Sequence, residues 1–206
     1  MRIRLMQTAA AAALALVAAC AKEEPKPEAA APAGPAKGTP EWKIQNAMSA
    51  GPRVISAAAT IMDMPGADGK MAQLRAGTNG WTCVPDDPNT PANDPTCVDA
   101  GFMDWFGAWM QHKQPHLTAP ALAYMLQGAA DASNTDPFKT KPDSGQEWVL
   151  TGPHIMIAVP DPRTLSKFPT DWKSGGPYVM FSGTPYAHWM IPVGGRGAAR
   201  ADSSSM

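Results

Sequence analysis

Two stretches decide how this chain is read: "GPHIMIAVP", residues 152–160, and "TPYAHWMIPV", residues 184–193. Each sets a histidine one residue ahead of Met-Ile. His154-Ile155-Met156-Ile157 therefore aligns with His188-Trp189-Met190-Ile191. Both runs are short, apolar and bounded by Gly and Pro, which reads as strand. Alternation then splits each run. His154, Met156 and Ala158 share one side, with Ile155, Ile157 and Val159 opposite. His188, Met190 and Pro192 share a side, with Trp189, Ile191 and Val193 opposite. The Ile/Val/Trp side is expected to face the core, which leaves the His/Met side asking for a role. If the two strands are neighbours, the histidines and methionines gather into a soft donor set that suits copper better than magnesium or calcium. If they are not, these are two core strands that look alike, because methionine fills cores well.

Outward from these runs, strands dominate. "PALAYMLQG" (120–128), "WVLTGPHIMIAVP" (148–160), "PYVMFSG" (177–183) and "AHWMIPV" (187–193) read as strands, with a short turn near "RTLSKF" (163–168). "KMAQLRAG" (70–77) and "WTCVP" (81–85) are further strands, separated by an Asn79-Gly80 turn. "RVISAAATIMDM" (53–64) is ambiguous between helix and strand. Its β-branched ends and the "PGADG" turn that follows favour strand. "PEWKIQNAM" (40–48) predicts a short first helix, with Pro40 near its start. "DAGFMDWFGAWMQHKQ" (99–114) is the clearest helix: Asp99 caps it, Phe102, Phe106, Trp109 and Met110 make an apolar face, and Pro115 ends it. Consecutive strands with one long intervening helix give the expected fold: α+β, mainly an antiparallel sheet with that helix packed on it.

The first twenty residues, "MRIRLMQTAAAAALALVAAC", carry Arg2 and Arg4 and then an apolar run too short to span a membrane. The ending "VAAC" (17–20) resembles the lipobox of bacterial lipoprotein precursors. That resemblance implies a signal peptide over 1–19, cleavage before Cys20 and lipidation of Cys20. Several acyl chains on one residue hold a protein stably at a membrane. The residue after the cysteine is Ala21 rather than Asp, which in Gram-negative lipoproteins favours transfer to the outer membrane, facing the periplasm. Residues 20–38 then form a Pro/Ala-rich tether reaching about 50 Å. A single domain is expected over 39–193, and a disordered tail over 194–206. The body stretches "LRAGTNGWTC", "ASNTDPF" and "GTPYAHWMIPV" resemble those of uncharacterised bacterial secreted proteins, a resemblance that implies no activity.

The precursor carries a formal charge of −1, which speaks against a nucleic-acid partner. With Cys20 lipidated, Cys83 and Cys97 remain, and in an oxidising compartment an isolated pair forms a disulfide. It would staple the loop "DDPNTPANDPT" (86–96), worth about 3 kcal/mol in the chain-entropy picture. Asp86, Asp87, Asn89, Asn93 and Asp94 of that loop are a calcium candidate by residue type, but turn chemistry explains the same residues. His112 and His116 have the spacing of a zinc helix, with Pro115 hostile to helix between them. Asp131, Ser133, Asn134 and Asp136 could line a ligand loop. His154 or His188 could act as a hydrolase base towards Ser133 or Thr184, although no nucleophile motif ties them together. The function expected is thus a membrane-anchored lipoprotein that binds a small ligand, copper or an envelope partner.

Overall fold

In the computed structural model, residues 34–195 are described. The signal peptide, Cys20, most of the tether and the tail beyond residue 195 lie outside the described residues.

The first helix, α1 (Pro40–Met48), starts where expected. The Oγ1 of Thr39 accepts from Trp42 N at 3.3 Å, and Pro40 occupies the first turn. The stretch 53–64 departs from the all-strand expectation. It opens as one helical turn, α2 (Arg53–Ser56), and only then becomes β1 (Thr60–Met62). Pro52 pre-sets the chain for that turn. The Arg75 guanidinium, from far along the sequence, then accepts its loose end by donating to Ser56 O and Ala59 O at 2.8 Å each. Those two long-range bonds are invisible to strand propensity.

Eight strands form one sheet in the order β2 (Gln73–Arg75), β1, β3 (Thr82–Val84), β4 (Thr96–Val98), β5 (Ala121–Met125), β8 (His154–Ala158), β10 (His188–Pro192), β9 (Tyr178–Met180). Only β1 and β3 run parallel, and every other pairing is antiparallel. A two-stranded ribbon, β6 (Ala129–Asp131) with β7 (Val149–Thr151), continues the β5–β8 pair beyond its end. Thr82–Val84 follows Gly80, whose φ of 76° is the turn conformation that Asn79-Gly80 announces. Gly77 has a different reason: a Cβ there would lie 2.1 Å from Thr60 N, so only glycine lets the chain cross β1 so closely.

Strand β4 was not expected. It is three residues between a proline-rich loop and a helix cap, and Cys97 sits on it directly opposite Cys83 on β3. The two form the expected disulfide, fully buried. The loop it closes is fastened by its own polar groups. Asp94 N donates to Asp86 Oδ1 at 3.0 Å, Asp87 N to Asp94 Oδ1 at 3.1 Å, Thr90 Oγ1 to Asp94 Oδ2 at 2.6 Å, and Asn89 Nδ2 to Asp87 Oδ1 at 2.8 Å. From α1, the Asn46 amide bonds Asp86 N and Asn93 Oδ1 at 2.7 Å each. The calcium candidates are thereby engaged in turn chemistry.

Helix α3 (Ala100–Met110) is shorter than expected. With eleven residues against nine in α1, the fold has two moderate helices and no single long one. It stops before Pro115 because His112 takes a left-handed φ of 54° and Lys113 N closes back on Ala108 O. His112 stacks on Phe138 at 4.0 Å, so His112 and His116 do not share a helix face. The N-terminal cap is as expected. Asp99 Oδ1 accepts from Phe102 N at 2.7 Å, and its Oδ2 also accepts from Leu122 N at 2.8 Å, which ties the helix to β5.

The helices cover opposite faces. On one face α1 seals Ile61, Cys83 and Cys97. On the other, Phe102 and Trp105 of α3 lie over Ala121, Ala123, Ala158 and Met190.

One group makes the loop pH-sensitive. Burial, with the Asp86 carboxyl beside it, pushes Asp94 up from 3.8 to about 7. A carboxyl raised on folding contributes stability that is complete below about 4 and is lost as pH rises through about 7. Asp94→Asn stays neutral throughout. Denaturant unfolding should therefore find the variant gaining on the native chain between pH 4 and pH 8, and a difference that stays constant across that range would contradict the assignment.

Candidate functional site

The two echo strands are neighbours, and their register is centred on the methionines. Met190 lies opposite Met156, His188 opposite Ala158, and Pro192 opposite His154. An antiparallel pair has a local two-fold axis through its central rung. Here that axis exchanges Met156 with Met190 and His154 with His188, so the sequence echo follows the symmetry of the ladder. The flanking strands extend it. Met125 on β5 lies opposite His154, and Met180 on β9 lies opposite His188. Directly opposed residues point to the same face. That face thus holds His154, His188, Met125, Met156, Met180 and Met190.

It is the face that carries the larger core. His154 is 0% exposed, His188 2%, and Met180 and Met190 1% each. Ile155, Ile157, Trp189 and Ile191 on the opposite face are only partly buried. The expectation that the Ile/Val/Trp side faces the core holds only in part: Val179, opposite Trp189, is fully buried there with Val159 and Trp189 packed against it, but the larger core lies on the His/Met side under α3. The cause is steric: Ala121, Ala123 and Ala158 leave room on the His/Met face for the bulky side chains of α3, Phe102 and Trp105.

Both rings are held alike. His154 Nδ1 donates to Gly152 O at 2.8 Å, and His188 Nδ1 donates to Tyr186 O at 2.9 Å. Because a carbonyl only accepts, each Nδ1 carries the proton and each Nε2 keeps a free lone pair. Both Nε2 atoms are buried without a hydrogen-bond partner. Burial lowers both rings to about 4, against the opposing pull of the carbonyl bonds, so both are neutral at pH 7. Phe102, Trp105 and Phe181 surround His188 at ring distances of 6.3, 5.3 and 5.6 Å. Phe181 holds a φ of 54°, rare for a bulky residue, with its N–H bonded to Asn134 O at 2.9 Å. Strain of this kind concentrates around functional sites.

The register sets the histidines four positions apart along the ladder, while their rings stay near enough for His188 to add to the lowering at His154. Four residues at about 3.4 Å each put their backbones about 14 Å apart along the ladder. Each ring is anchored towards its own end of the ladder. The four expected metal residues, His154, Met156, His188 and Met190, do share a face, with the two methionines as its central rung and a histidine at either end.

The expected ligand loop divides. Ser133 Oγ accepts from Thr135 N and Asp136 N, and Asp136 Oδ1 accepts from Phe138 N, so these two serve their own turn. Asn134 Nδ2 donates to Thr170 O while its Oδ1 is buried without a partner. Asp131 closes β6, and burial alone pushes its carboxyl up to about 7. For hydrolysis, Thr184 Oγ1 donates to Phe181 O and accepts from Tyr186 N. Neither it nor Ser133 bonds a histidine, so the hydrolase reading has no nucleophile–base pair to build on. Among the described residues, no three His, Cys, Asp or Glu side chains gather to hold a metal. Sequence reasoning missed Met125 and Met180, whose only signal was a methionine near the end of each flanking strand run.

An unpartnered buried acceptor costs about 1–3 kcal/mol, and a hydrogen bond contributes about 0.5–1.5 kcal/mol. His188→Leu comes closer to the imidazole's volume, removes the lone pair and gives up the bond to Tyr186 O. It should leave unfolding stability within about 1 kcal/mol of the native chain. A loss well beyond that, measured by urea denaturation, would make the imidazole a structural requirement. Set against protein-family models, curated proteins and solved structures, the chain matches none.

Proposed function

We propose that this chain is a lipid-anchored envelope protein, held through Cys20 at the periplasm-facing side of the outer membrane, whose domain binds copper as Cu(I) through its His/Met face. The anchoring half of this reading rests on the sequence "VAAC" ahead of a Pro/Ala-rich tether. The binding half rests on one observation above all: two buried neutral imidazoles, each with Nδ1–H given to a backbone carbonyl and Nε2 unshared. A histidine that ligates a metal through one nitrogen characteristically donates the other N–H to a carbonyl or carboxylate, which fixes the tautomer and aims the lone pair. Thioether and imidazole donors together favour soft copper over hard cations. Copper in the +1 state also suits a face whose nearby donors are all neutral, because every additional buried charge adds a desolvation cost.

Two measurements test the two halves. Palmitate labelling of cells expressing the chain should mark the native protein and not Cys20→Ala, and that variant should leave the membrane fraction. Equal labelling of both would refute the anchor. For the metal, the purified protein should withdraw Cu(I) from a coloured bicinchoninate complex. Failure to bleach that complex at any excess of protein would overturn the binding reading.

A further inference from the structure

The His/Met face is built around a two-fold axis, and this bears on how many ions it takes. Resting on the copper reading above, we propose that the face holds two soft monovalent-metal sites, one formed by His154 with Met125 and the other by His188 with Met180, on either side of a shared Met156–Met190 rung. The pairing follows from the register. Met125 is directly opposite His154, and Met180 directly opposite His188. Opposed residues on one face have Cβ atoms about 5 Å apart, close enough for a thioether sulfur and an imidazole nitrogen to meet at one ion. Each histidine is also a diagonal neighbour of the methionine on the partner echo strand, so Met156 and Met190 can supply a third donor to either side. A single ion shared by both imidazoles would have to span a ladder along which their backbones stand about 14 Å apart.

The donor set selects the charge of the ion. It consists of imidazole nitrogen and thioether sulfur, all neutral, and among the described residues no cluster of three His, Cys, Asp or Glu stands ready to balance a divalent cation. Thioethers favour Cu(I), and Ag(I) shares its charge, its softness and its low coordination number. Phe102, Trp105 and Phe181 pack edge-on around His188 and keep its surroundings apolar and uncharged. The two sites differ in access. Met125, opposite His154, keeps partial exposure, whereas Met180, opposite His188, is buried. The His154 site is therefore the outer one, and the His188 site the inner.

The test counts ions. The full-length protein, extracted in detergent and titrated with silver nitrate in chloride-free buffer, should bind two equivalents by native mass spectrometry. Met125→Leu and Met180→Leu each conserve side-chain volume and should keep the fold. Each should bind one equivalent, with the unfolding midpoint serving as the check on folding. One equivalent in the native protein, or two that survive both substitutions, overturns the two-site proposal and leaves copper binding itself standing. No binding in the native protein overturns both. A histidine-selective readout separates the sites: Met125→Leu should abolish the silver-induced nitrogen shift of His154 and retain that of His188, and Met180→Leu should do the reverse.

Discussion

The rung Met156–Met190 sets the rest of the structure. It fixes the register of β8 against β10, and with it the face that each side chain of the sheet's chemically richest half presents. A slip of one residue between them would turn one strand's His and Met to the other face and bring either Ile155 and Ile157 or Trp189 and Ile191 under α3. The present register is held from outside. Alanines on β5 and β8 clear a hollow into which Phe102 and Trp105 of α3 settle, and Asp99 locks that helix to β5 through both carboxylate oxygens. The side chains beneath the helix must then be the polarizable and aromatic ones that fit there.

Much of this was legible where the signal is local. Thr39 and Asp99 are caps that act within three residues, and Asn79-Gly80 is a turn with its own backbone preference. The antiparallel character of the sheet and the Cys83–Cys97 pairing also followed from runs and spacing. What escaped was set at long range. The turn at Arg53–Ser56 is held by Arg75, 19 residues beyond Ser56 in the chain. Strand β4 is a three-residue element placed by its pairing with β3 and β5, with Cys97 opposite Cys83. The core was read only in part: Val179 and Trp189 do pack on the Ile/Val/Trp side, but hydropathy, which ranks isoleucine above histidine and methionine, missed the larger core on the face whose alanines receive a helix. Met125 and Met180 could not be joined to the echo before the register was known, since β5 and β9 lie outside it in sequence.

The candidate site is thus a product of symmetry applied to a sheet. Two similar strands in antiparallel pairing generate two copies of one environment, each ring tied to the carbonyl two residues before it. The aromatic shell then breaks the equivalence. His188 lies among Phe102, Trp105 and a backbone-strained Phe181, while His154 stands at the corner where the sheet hands over to the β6–β7 ribbon.

The buried titratable groups carry one more consequence. Two carboxyls, Asp94 and Asp131, are raised from 3.8 to about 7 by burial, and two imidazoles are lowered from 6.5 to about 4. Near pH 5 the folded chain holds two protons on the acids and almost none on the rings. Once unfolded, it holds none on those acids and two on the rings. As far as these four groups are concerned, opening the domain moves protons from oxygen to nitrogen and exchanges none with the solvent. Near pH 5, opening or closing the domain therefore draws no net protons through these four groups.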